Sequence, residues 1–323
     1  MINLRCLYCG KELNKNEEKD RWHGKCIKTF FGVTEMPELD ISDKVLEKLA
    51  NENINKGMTV PGVQKKLSVH LSKDDKYRLT IVGYPNGYIL KPQSDDYPAL
   101  PEAEYLSMQM AESAGIKTVQ NGLIMINNQY VYITKRLDRD IKFRNGKDDI
   151  IDLYAMEDFC QLSGRLTYDK YKGSYEKCAK IISRYSCQPG IDLTEFFMRL
   201  VFCFVTGNSD MHLKNFSLIE KKPKSREYIL SPAYDLLPVN VIMPEDEEEM
   251  ALMLCGRKKK IHRKHFMILA DKIEIPEKSA QRMLDKIISI SDEFIELCDN
   301  SYMPKTMKEN MKELMRRRVD AIS

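Results

Sequence analysis

The chain has 323 residues, of which 43% are apolar and 31% charged, a composition typical of a soluble globular protein of about two domains. No stretch approaches the roughly 20 apolar residues that a membrane-spanning helix needs, and the N-terminal segment lacks an apolar signal region, so we expect a cytoplasmic protein. The 51 basic and 48 acidic residues leave a net charge of only +3. This balance argues against a dedicated nucleic-acid-binding protein, because such proteins gain much of their affinity by neutralising phosphates.

Two local charge runs interrupt this balance. Residues 245–249 are acidic and residues 257–265 are mainly basic. We expect a solvated loop and the solvated start of a helix, and a patch that docks a partner is the alternative.

The N-terminal segment contains a group of four potential metal ligands, Cys6, Cys9, His23 and Cys26. They form two close pairs, and Zn²⁺ prefers four such ligands in a tetrahedron. The spacing predicts a structural zinc site that stabilises a segment too short to fold alone. A redox pair or thiols in small turns would be the alternative. The other six cysteines are scattered singly, as reduced core residues are in a reducing compartment.

The next block of the sequence predicts three strands, a helix and two strands. The strand ranges are 67–71, 78–82, 87–91, 123–126 and 130–134. The helix begins at Pro101, which suits a first turn, and is expected to end at Gly115. Asn127 and Asn128 predict a tight turn between the last two strands. This order is that of the small lobe of a protein kinase.

The last block is predicted to be mainly helical, with one hairpin. Helices are expected near 154–164, 174–186, 192–207, 262–273, 277–298 and 305–321, and the hairpin strands at 216–219 and 228–230. The sequence therefore predicts an α+β protein with a two-lobed, kinase-like fold. Its expected parts are a zinc-ribbon-like head (1–33), a small lobe (34–140) and a helical large lobe (141–323).

Asp210 and Asn215 lie five residues apart in a loop between an apolar helix and a strand. Phosphoryl transfer requires a carboxylate that takes the proton of the attacking hydroxyl and oxygen ligands that hold Mg²⁺ on the phosphates. A kinase catalytic loop supplies both at this spacing. A polar turn capped by an aspartate is the alternative, which His212 and the surrounding helix–loop–strand order make less favourable.

Asp235 follows the predicted hairpin, 25 residues after Asp210. A second metal-binding aspartate of a kinase occupies this place, so we expect Asp235 to bind Mg²⁺. An aspartate in a proline-bounded turn is the alternative.

Lys91 ends a predicted strand, and Glu104 lies early in the helix that follows. A lysine in this position can reach the α- and β-phosphates of ATP, and the glutamate can hold it in place. Two unrelated surface charges are the alternative. Before the first strand, the loop 57–66 contains Gly62, Val63 and Gln64, whose backbone N–H groups could cover phosphates. Taken alone, this segment favours a simple turn.

Together these segments resemble the HipA family of serine/threonine kinases, the toxins of bacterial toxin–antitoxin modules. The resemblance extends over most of the chain. It is carried by residues 61–67, 89–92, 100–104, 135–139, 157–161, 208–217 and 232–235. The Asp-x-His-x-Lys-Asn-Phe-Ser sequence that begins at Asp210 is its most specific element.

The resemblance implies a role for each matching residue. Asp210 would be the catalytic base, with His212 and Lys214 beside it in the catalytic loop, and Asn215 and Asp235 would bind Mg²⁺. ATP would be contacted by Lys91 with Glu104, by Gly62, Val63 and Gln64, by the hinge residues Lys135, Arg136 and Leu137, and by Gln161 and Tyr234. Thr59 is the candidate for autophosphorylation.

The resemblance also implies partners. Family substrates include aminoacyl-tRNA synthetases, and a DNA-binding antitoxin would be the cognate partner. Compared with the longer family members, the chain is expected to lack an extra N-terminal subdomain, which either a small companion protein supplies or the system does without. Two alternatives stay open: a module that binds ATP or an antitoxin without catalysis, and a small-molecule or lipid kinase with the same fold.

Overall fold

The computed structural model describes residues 4–40, 66–73, 76–81, 86–142 and 150–323. The chain forms two compact units. The first comprises Met1–Tyr105 and Val119–Leu153, and the second comprises Leu106–Thr118 and Tyr154–Ser323. Strands dominate the first unit and helices the second, so the predicted α+β class is confirmed. Within the described ranges, no helix is long and apolar enough to cross a membrane.

The first unit is built on a six-stranded sheet with the strand order β1-β3-β2-β4-β6-β5. Its strands are β1 (Glu38–Asp40), β2 (Leu67–Ser72), β3 (Arg78–Thr80), β4 (Asn86–Lys91), β5 (Asn121–Ile126) and β6 (Gln129–Lys135). All neighbours are antiparallel except β1 and β3. The five predicted strands are confirmed as β2 to β6, and the alternation along β2 buries every second residue.

Asn127 and Asn128 form the predicted turn between β5 and β6. Their φ angles are +48° and +61°, so both adopt the left-handed conformation. Hairpin turns of type I′ require this conformation at the two central residues, and asparagine tolerates it better than most residues. The turn fixes the register in which Ile126 pairs with Gln129.

The N-terminal head packs on the edge strand β5. Its helix α1 (Gly24–Phe31) follows Trp22, which is fully buried and donates a hydrogen bond to the carbonyl of Leu123 at 2.9 Å. The N–H of Leu123 in turn donates to the carbonyl of Leu7 at 2.8 Å. Rings of the head and the sheet share one aromatic cluster, whose members are Tyr8, Trp22, Phe30, Phe31 and Tyr88. The head therefore belongs to the same hydrophobic core as the sheet.

Helix α2 (Leu100–Ser113) ends where the sequence predicts. Gly115 has a φ angle of +78°, and Ile116 donates a backbone hydrogen bond to the carbonyl of Ala111 at 2.9 Å. A glycine in this conformation is a frequent helix stop, because it has no Cβ atom to clash with the last turn. A hairpin of β7 (Arg139–Lys142) and β8 (Ile150–Leu153) was not predicted.

The second unit combines helices with a three-stranded sheet of order β11-β10-β9. Its strands are β9 (Met156–Asp158), β10 (Ser217–Glu220) and β11 (Tyr228–Leu230). Its helices are α3 (Phe159–Leu162), α4 (Tyr175–Tyr185), α5 (Pro189–Thr206), α6 (Val239–Ile242), α7 (Arg263–Lys272), α8 (Glu277–Ser289), α9 (Ser291–Asp299) and α10 (Lys305–Ile322). The predicted helices α4, α5, α7 and α10 and the predicted hairpin β10–β11 are confirmed.

The prediction of one helix near 154–164 was wrong. The segment forms strand β9, which pairs antiparallel with β10, and then only the four-residue helix α3. Asp158 starts this helix, since its Oδ1 atom accepts a hydrogen bond from the N–H of Gln161 at 2.8 Å. The ladder to β10 determines the conformation of this segment more strongly than its helical pattern does.

The prediction of one helix over 277–298 was also wrong, because the helix breaks at Ile290. The hydroxyl groups of Ser289 and Ser291 each donate to a carbonyl three residues earlier, at 2.8 Å. Serine side chains that bond their own backbone compete with helix continuation. Two helices, α8 and α9, result.

Candidate functional site

The loop after α5 begins at a glycine that reverses the chain. Gly207 has a φ angle of +74°, and its carbonyl accepts a hydrogen bond from the N–H of Asn240 at 3.0 Å. The buried side chain of Asn208 accepts a bond from the N–H of Asp210 at 3.2 Å. The start of the loop is thus fixed by groups on both sides of the chain reversal.

Asn215 and Asp210 are in direct contact. The amide Nδ2 of Asn215 donates to the backbone carbonyl of Asp210 at 2.8 Å. This bond uses the nitrogen end of the amide, and no donor among the described residues engages its oxygen. An amide oxygen is a ligand that Mg²⁺ accepts in kinase sites, so this end of Asn215 could hold the metal.

The carboxylate of Asp210 is held by Tyr171, whose hydroxyl donates a hydrogen bond to the Oδ1 atom. Burial raises the pKa of Asp210 to about 6, while the bond from Tyr171 and the charge of Lys170 oppose this effect, and the charge of Asp235 adds to it. The group is therefore largely ionised at neutral pH, with a pKa close to the working range of a general base.

His212 lies beside this carboxylate and is buried. Burial lowers its pKa to about 3, so the imidazole is neutral. Its Nε2 atom lies 3.9 Å from Oδ1 of Asp210, too far for a hydrogen bond. The ring of Tyr171 packs edge-on against the imidazole at 5.0 Å between centroids. His212 thus acts as packing for the loop.

Asp235 is placed in the second unit by a network that fixes the chain just before it. The buried guanidinium of Arg199, on α5, donates to the carbonyl of Ser231 at 2.6 Å. The N–H of Ala233 donates to the carbonyl of Lys117 at 2.7 Å. Asp235 itself has a φ angle of +54°. Non-glycine residues in this conformation are uncommon and cluster at functional sites.

Tyr234 faces into the protein. Its hydroxyl donates to the carbonyl of Lys214 at 3.0 Å and lies 2.5 Å from the hydroxyl of Ser217. Burial raises its pKa above the ordinary value, so it remains a protonated donor. In the structure Tyr234 ties the segment of Asp235 to the end of the loop 207–216, the candidate catalytic loop.

Lys214 and Gln161 converge on a residue that the sequence did not single out, Asp158. The ammonium of Lys214 lies 2.7 Å from its Oδ2 atom. The side chain of Gln161 accepts a bond from the N–H of Asp158 at 2.9 Å, which completes a capping box. Both predicted site residues therefore contact the start of α3.

Lys91 and Glu104 form an ion pair inside the first unit. Lys91 is the last residue of β4 and is 2% exposed, and Glu104 is in the second turn of α2 and is 1% exposed. The ammonium also lies 5.2 Å from the ring centroid of Tyr132 on the neighbouring strand β6. Charged residues are seldom this buried unless they are paired. The alternative that Lys91 and Glu104 are two unrelated surface charges is therefore wrong.

The three predicted hinge residues lie at the end of β6, where Lys135 is the last residue of the strand and Arg136 and Leu137 follow it. Lys135 lies over the ring of Phe30 at 5.6 Å, and burial lowers its pKa. Arg136 donates through Nη2 and Nε to the carboxylate of Asp138, at 2.8 and 2.9 Å. Leu137 is half-buried. The predicted loop residues Gly62, Val63 and Gln64 and the candidate Thr59 lie outside the described residues.

Asn240 and Asp246 support the candidate catalytic loop, and no clear signal in the sequence indicated this role. Asp246 accepts a hydrogen bond from the hydroxyl of Ser209 at 2.6 Å. The side chain of Asn240 donates to the carbonyls of Asp246 and Glu248, at 2.9 and 3.0 Å. The acidic run is therefore not simply a solvated loop, since part of it is folded against the catalytic loop.

The two charge runs also pair with one another. Lys258 lies 2.9 Å from Glu248, and Lys259 lies 2.8 Å from Glu247. These two pairs neutralise part of the charge of each run.

The four predicted metal ligands of the head meet at one point. The ligand atoms of Cys6, Cys9, His23 and Cys26 all lie within 4.8 Å of one another. Nδ1 of His23 is 3.4 Å from Sγ of Cys9 and 3.6 Å from Sγ of Cys26. With Zn–S bonds of about 2.3 Å and a Zn–N bond of about 2.0 Å, a tetrahedral site separates sulfur from nitrogen by roughly 3.5 Å.

The orientation of His23 also fits a metal ligand. Its Nε2 atom lies 2.9 Å from the carbonyl oxygen of Glu12, which can only accept a hydrogen bond, so Nε2 carries the proton. The lone pair is then on Nδ1, the atom that faces the thiols. Metal-binding histidines commonly donate their other N–H in this way. The donor set fits Zn²⁺.

Comparison with known proteins gives one family model, described as "HipA-like C-terminal domain", which matches residues 58–294. A Haemophilus influenzae protein described as "Putative kinase" is 27% identical over 242 residues, which are 73% of this chain and 68% of that protein. The Sinorhizobium fredii protein "Putative kinase Y4dM" is 32% identical over 238 residues. That match covers 68% of this chain and 54% of the relative, so the chain spans about half of the Sinorhizobium protein.

Two solved structures share the fold. A Shewanella oneidensis HipA, determined in complex with HipB and operator DNA, has a TM-score of 0.73 at 17% identity and covers 90% of this chain and 73% of its own. The Helicobacter pylori proinflammatory kinase CtkA has a TM-score of 0.51 at 18% identity and covers 75% of this chain and 90% of its own. Both likenesses concern the fold, which is the kinase-like architecture that the sequence predicted.

Proposed function

This chain belongs to the HipA-like C-terminal domain family, and on that premise we propose that it is an ATP- and Mg²⁺-dependent serine/threonine protein kinase. The observation that carries the proposal is the contact between Asn215 and Asp210. It leaves the amide oxygen of Asn215 without a donor among the described residues, in the same loop as the Asp210 carboxylate. Burial raises the pKa of that carboxylate to about 6, which suits a general base.

In the proposed reaction each residue has one task. Asp210 orients the acceptor hydroxyl and takes its proton, while Asn215 and Asp235 supply oxygen ligands to Mg²⁺. Lys91 carries positive charge for the phosphates, and its buried partner Glu104 keeps that charge in place. The metal, when bound, would offset the negative charge that develops on the transferred phosphoryl group.

The test is phosphoryl transfer by the purified protein. Wild-type protein is incubated with γ-labelled ATP and Mg²⁺, and the labelled residues are mapped by mass spectrometry. Asp210→Asn is the test variant, and Asp292→Asn, an exposed residue at the start of α9, is the matched control. We expect label with the wild type and the control and a loss of at least about 100-fold with Asp210→Asn.

The same assay separates the alternatives. Label at Thr59 or a neighbouring hydroxyl would support the predicted autophosphorylation. ATP binding without any transfer would favour the non-catalytic module. Transfer to a lipid or a small metabolite, and to no protein, would favour the small-molecule kinase. Phosphoproteomics of cells that express the wild type or Asp210→Asn would then identify the protein target, with aminoacyl-tRNA synthetases as the first candidates.

We also propose that Cys6, Cys9, His23 and Cys26 bind one structural Zn²⁺. The proposal rests on two ligand separations close to the edge of a tetrahedral zinc site and on the orientation of His23. Metal content, measured by mass spectrometry on protein purified without chelator, should be about one zinc per chain. Cys26→Ser should lower it, whereas Cys187→Ser, at an exposed thiol elsewhere, should not.

A DNA-binding antitoxin is the partner that we propose. The support is the likeness to the Shewanella HipA, whose structure was solved with HipB and operator DNA. The balanced charge of this chain favours DNA contact through such a partner. Products of neighbouring genes, co-expressed with the tagged chain, would test for an antitoxin and for a small companion subunit. Failure of either to co-purify would contradict the respective partnership.

A further inference from the structure

Tyr171 is the described residue whose hydroxyl donates to the candidate catalytic base, and neither the sequence pattern nor the family resemblance pointed to it. It lies 39 positions before Asp210, in the segment between the short 3-10 helix Thr167–Asp169 and helix α4. Burial and the charge of Asp210 raise its pKa, so the phenol stays protonated and donates. Its single donor is directed at the Oδ1 atom.

Three contacts fix the position of this ring. The carbonyl of Lys170 accepts a backbone hydrogen bond from Leu213, which joins the segment to the catalytic loop. The ammonium of Lys170 lies 4.9 Å from the centroid of the Tyr171 ring. The ring also packs edge-on against His212. These contacts hold the ring independently of its hydroxyl, and the hydroxyl donates its hydrogen bond to the carboxylate of Asp210.

The two carboxylate oxygens of Asp210 differ in their surroundings. Oδ1 accepts the bond from Tyr171 and faces His212, whereas no described residue donates to Oδ2. A general base in phosphoryl transfer needs one oxygen directed at the acceptor hydroxyl. A carboxylate held by one oxygen keeps the other in a fixed direction, because the group is planar.

We propose that Tyr171 is a positioning residue that holds Oδ1 of Asp210 so that Oδ2 receives the proton of the acceptor hydroxyl. This inference rests on the proposed kinase function. In the step itself, the acceptor oxygen forms a bond to the γ-phosphorus, the bond between that phosphorus and the bridging oxygen of ADP breaks, and the hydroxyl proton passes to Oδ2. Tyr171 gives up no proton in this step.

The test compares Tyr171→Phe with wild type. Phenylalanine keeps the ring and its contacts and removes only the hydroxyl. Initial rates of phosphoryl transfer from γ-labelled ATP are measured, both to the protein itself and to dephosphorylated casein as a generic acceptor. We expect kcat to fall by about 10-fold to 100-fold, the range that corresponds to one hydrogen bond to a charged group. KM and Kd for ATP should stay unchanged, because Tyr171 is not expected to contact the nucleotide.

Tyr168→Phe is the matched control. Tyr168 lies three residues earlier, in the 3-10 helix Thr167–Asp169, and is 74% exposed, so loss of its hydroxyl should leave kcat unchanged. All assays are run well below the Tm of the less stable of the two variants. The Kd for ATP, measured by calorimetry, verifies that Tyr171→Phe is folded.

The outcomes distinguish the inference from the function on which it rests. An active wild type with an equally active Tyr171→Phe variant would overturn the inference alone. A faster variant would also overturn it, and would identify Tyr171 as a group that competes with the acceptor for Asp210. A wild type that transfers no phosphoryl group would overturn the proposed function and this inference with it.

Discussion

Replacing Glu104 by leucine should lower the free energy of unfolding strongly, although the two side chains are similar in size. The change leaves the ammonium of Lys91 at a site that is 2% exposed, without its carboxylate. Removing one partner of a buried ion pair typically costs about 3–5 kcal/mol of unfolding free energy, because the remaining charge has lost both water and counterion. At roughly 2–4 °C per kcal/mol for a unit of this size, Tm should fall on the order of 10 °C.

The double variant Lys91→Met with Glu104→Leu separates stability from function. Replacing both members of a buried pair by apolar residues of similar volume is often neutral or stabilising. The double variant should therefore recover most of the lost stability and still transfer no phosphoryl group, because Lys91 is missing. Urea unfolding measures the first effect, and the γ-labelled ATP assay measures the second.

An exposed ion pair in the first unit provides the control. Lys76 and Glu38 lie 3.2 Å apart, with side chains 69% and 62% exposed. Glu38→Leu should change the free energy of unfolding by less than about 1 kcal/mol. The reasoning is refuted if Glu104→Leu is as mild as Glu38→Leu, and the role of Lys91 is refuted if the double variant keeps its activity.

Three further outcomes are expected. Gly122→Ala should destabilise the protein by about 1–3 kcal/mol in urea unfolding, because a Cβ atom would lie 2.9 Å from the Trp22 ring, whereas Gly190→Ala, with open space around it, should not. Asp210→Asn, without nucleotide and Mg²⁺, should be more stable than wild type at pH 8 by up to roughly 3 kcal/mol, since burial raises the pKa of Asp210 from 3.8 to about 6. That gain should shrink as the pH falls from 6 to 4, where the wild-type carboxyl becomes neutral; equal stabilities at pH 8 would contradict it. A strong zinc chelator should lower the Tm of wild-type protein, and an unchanged Tm would count against a zinc site built on His23.

Elements with local signals were predictable from the sequence. Three kinds of element depend only on neighbouring residues: the strands β2 to β6, the asparagine turn and the glycine stop of α2. The apolar periodicity of the strands and the residue types at the turns were therefore sufficient to predict them. The contact between Asp210 and Asn215 is local in the same sense, since five residues separate the two. The head was also predictable, because its ligands lie within the first 26 residues.

The failures have a common physical cause. Residues 154–164 carry a helical pattern, but the ladder to β10 draws Met156–Asp158 into a strand, and that partner lies about 60 residues further along the chain. Over 277–298, the apolar period continues through Ile290, and only the hydrogen bonds of two serine side chains show why the helix breaks there. Apolar periodicity reports which face of a segment is buried and is blind to such competing bonds.

The same distinction divides the candidate site. The residues proposed for chemistry in the catalytic loop are close in sequence, whereas those that hold the loop are distant: Tyr171 bonds Asp210 from 39 positions away, and Asn240 bonds Ser209 from 31 positions away. A functional group must be held within about 0.5 Å of its productive position, so the supporting residues constrain the reaction as firmly as the reacting ones. The Asp-x4-Asn spacing by itself therefore does not distinguish a phosphotransferase loop from a polar turn in another chain, whereas a distant donor to one oxygen of the aspartate would add the sign that a base is held in place.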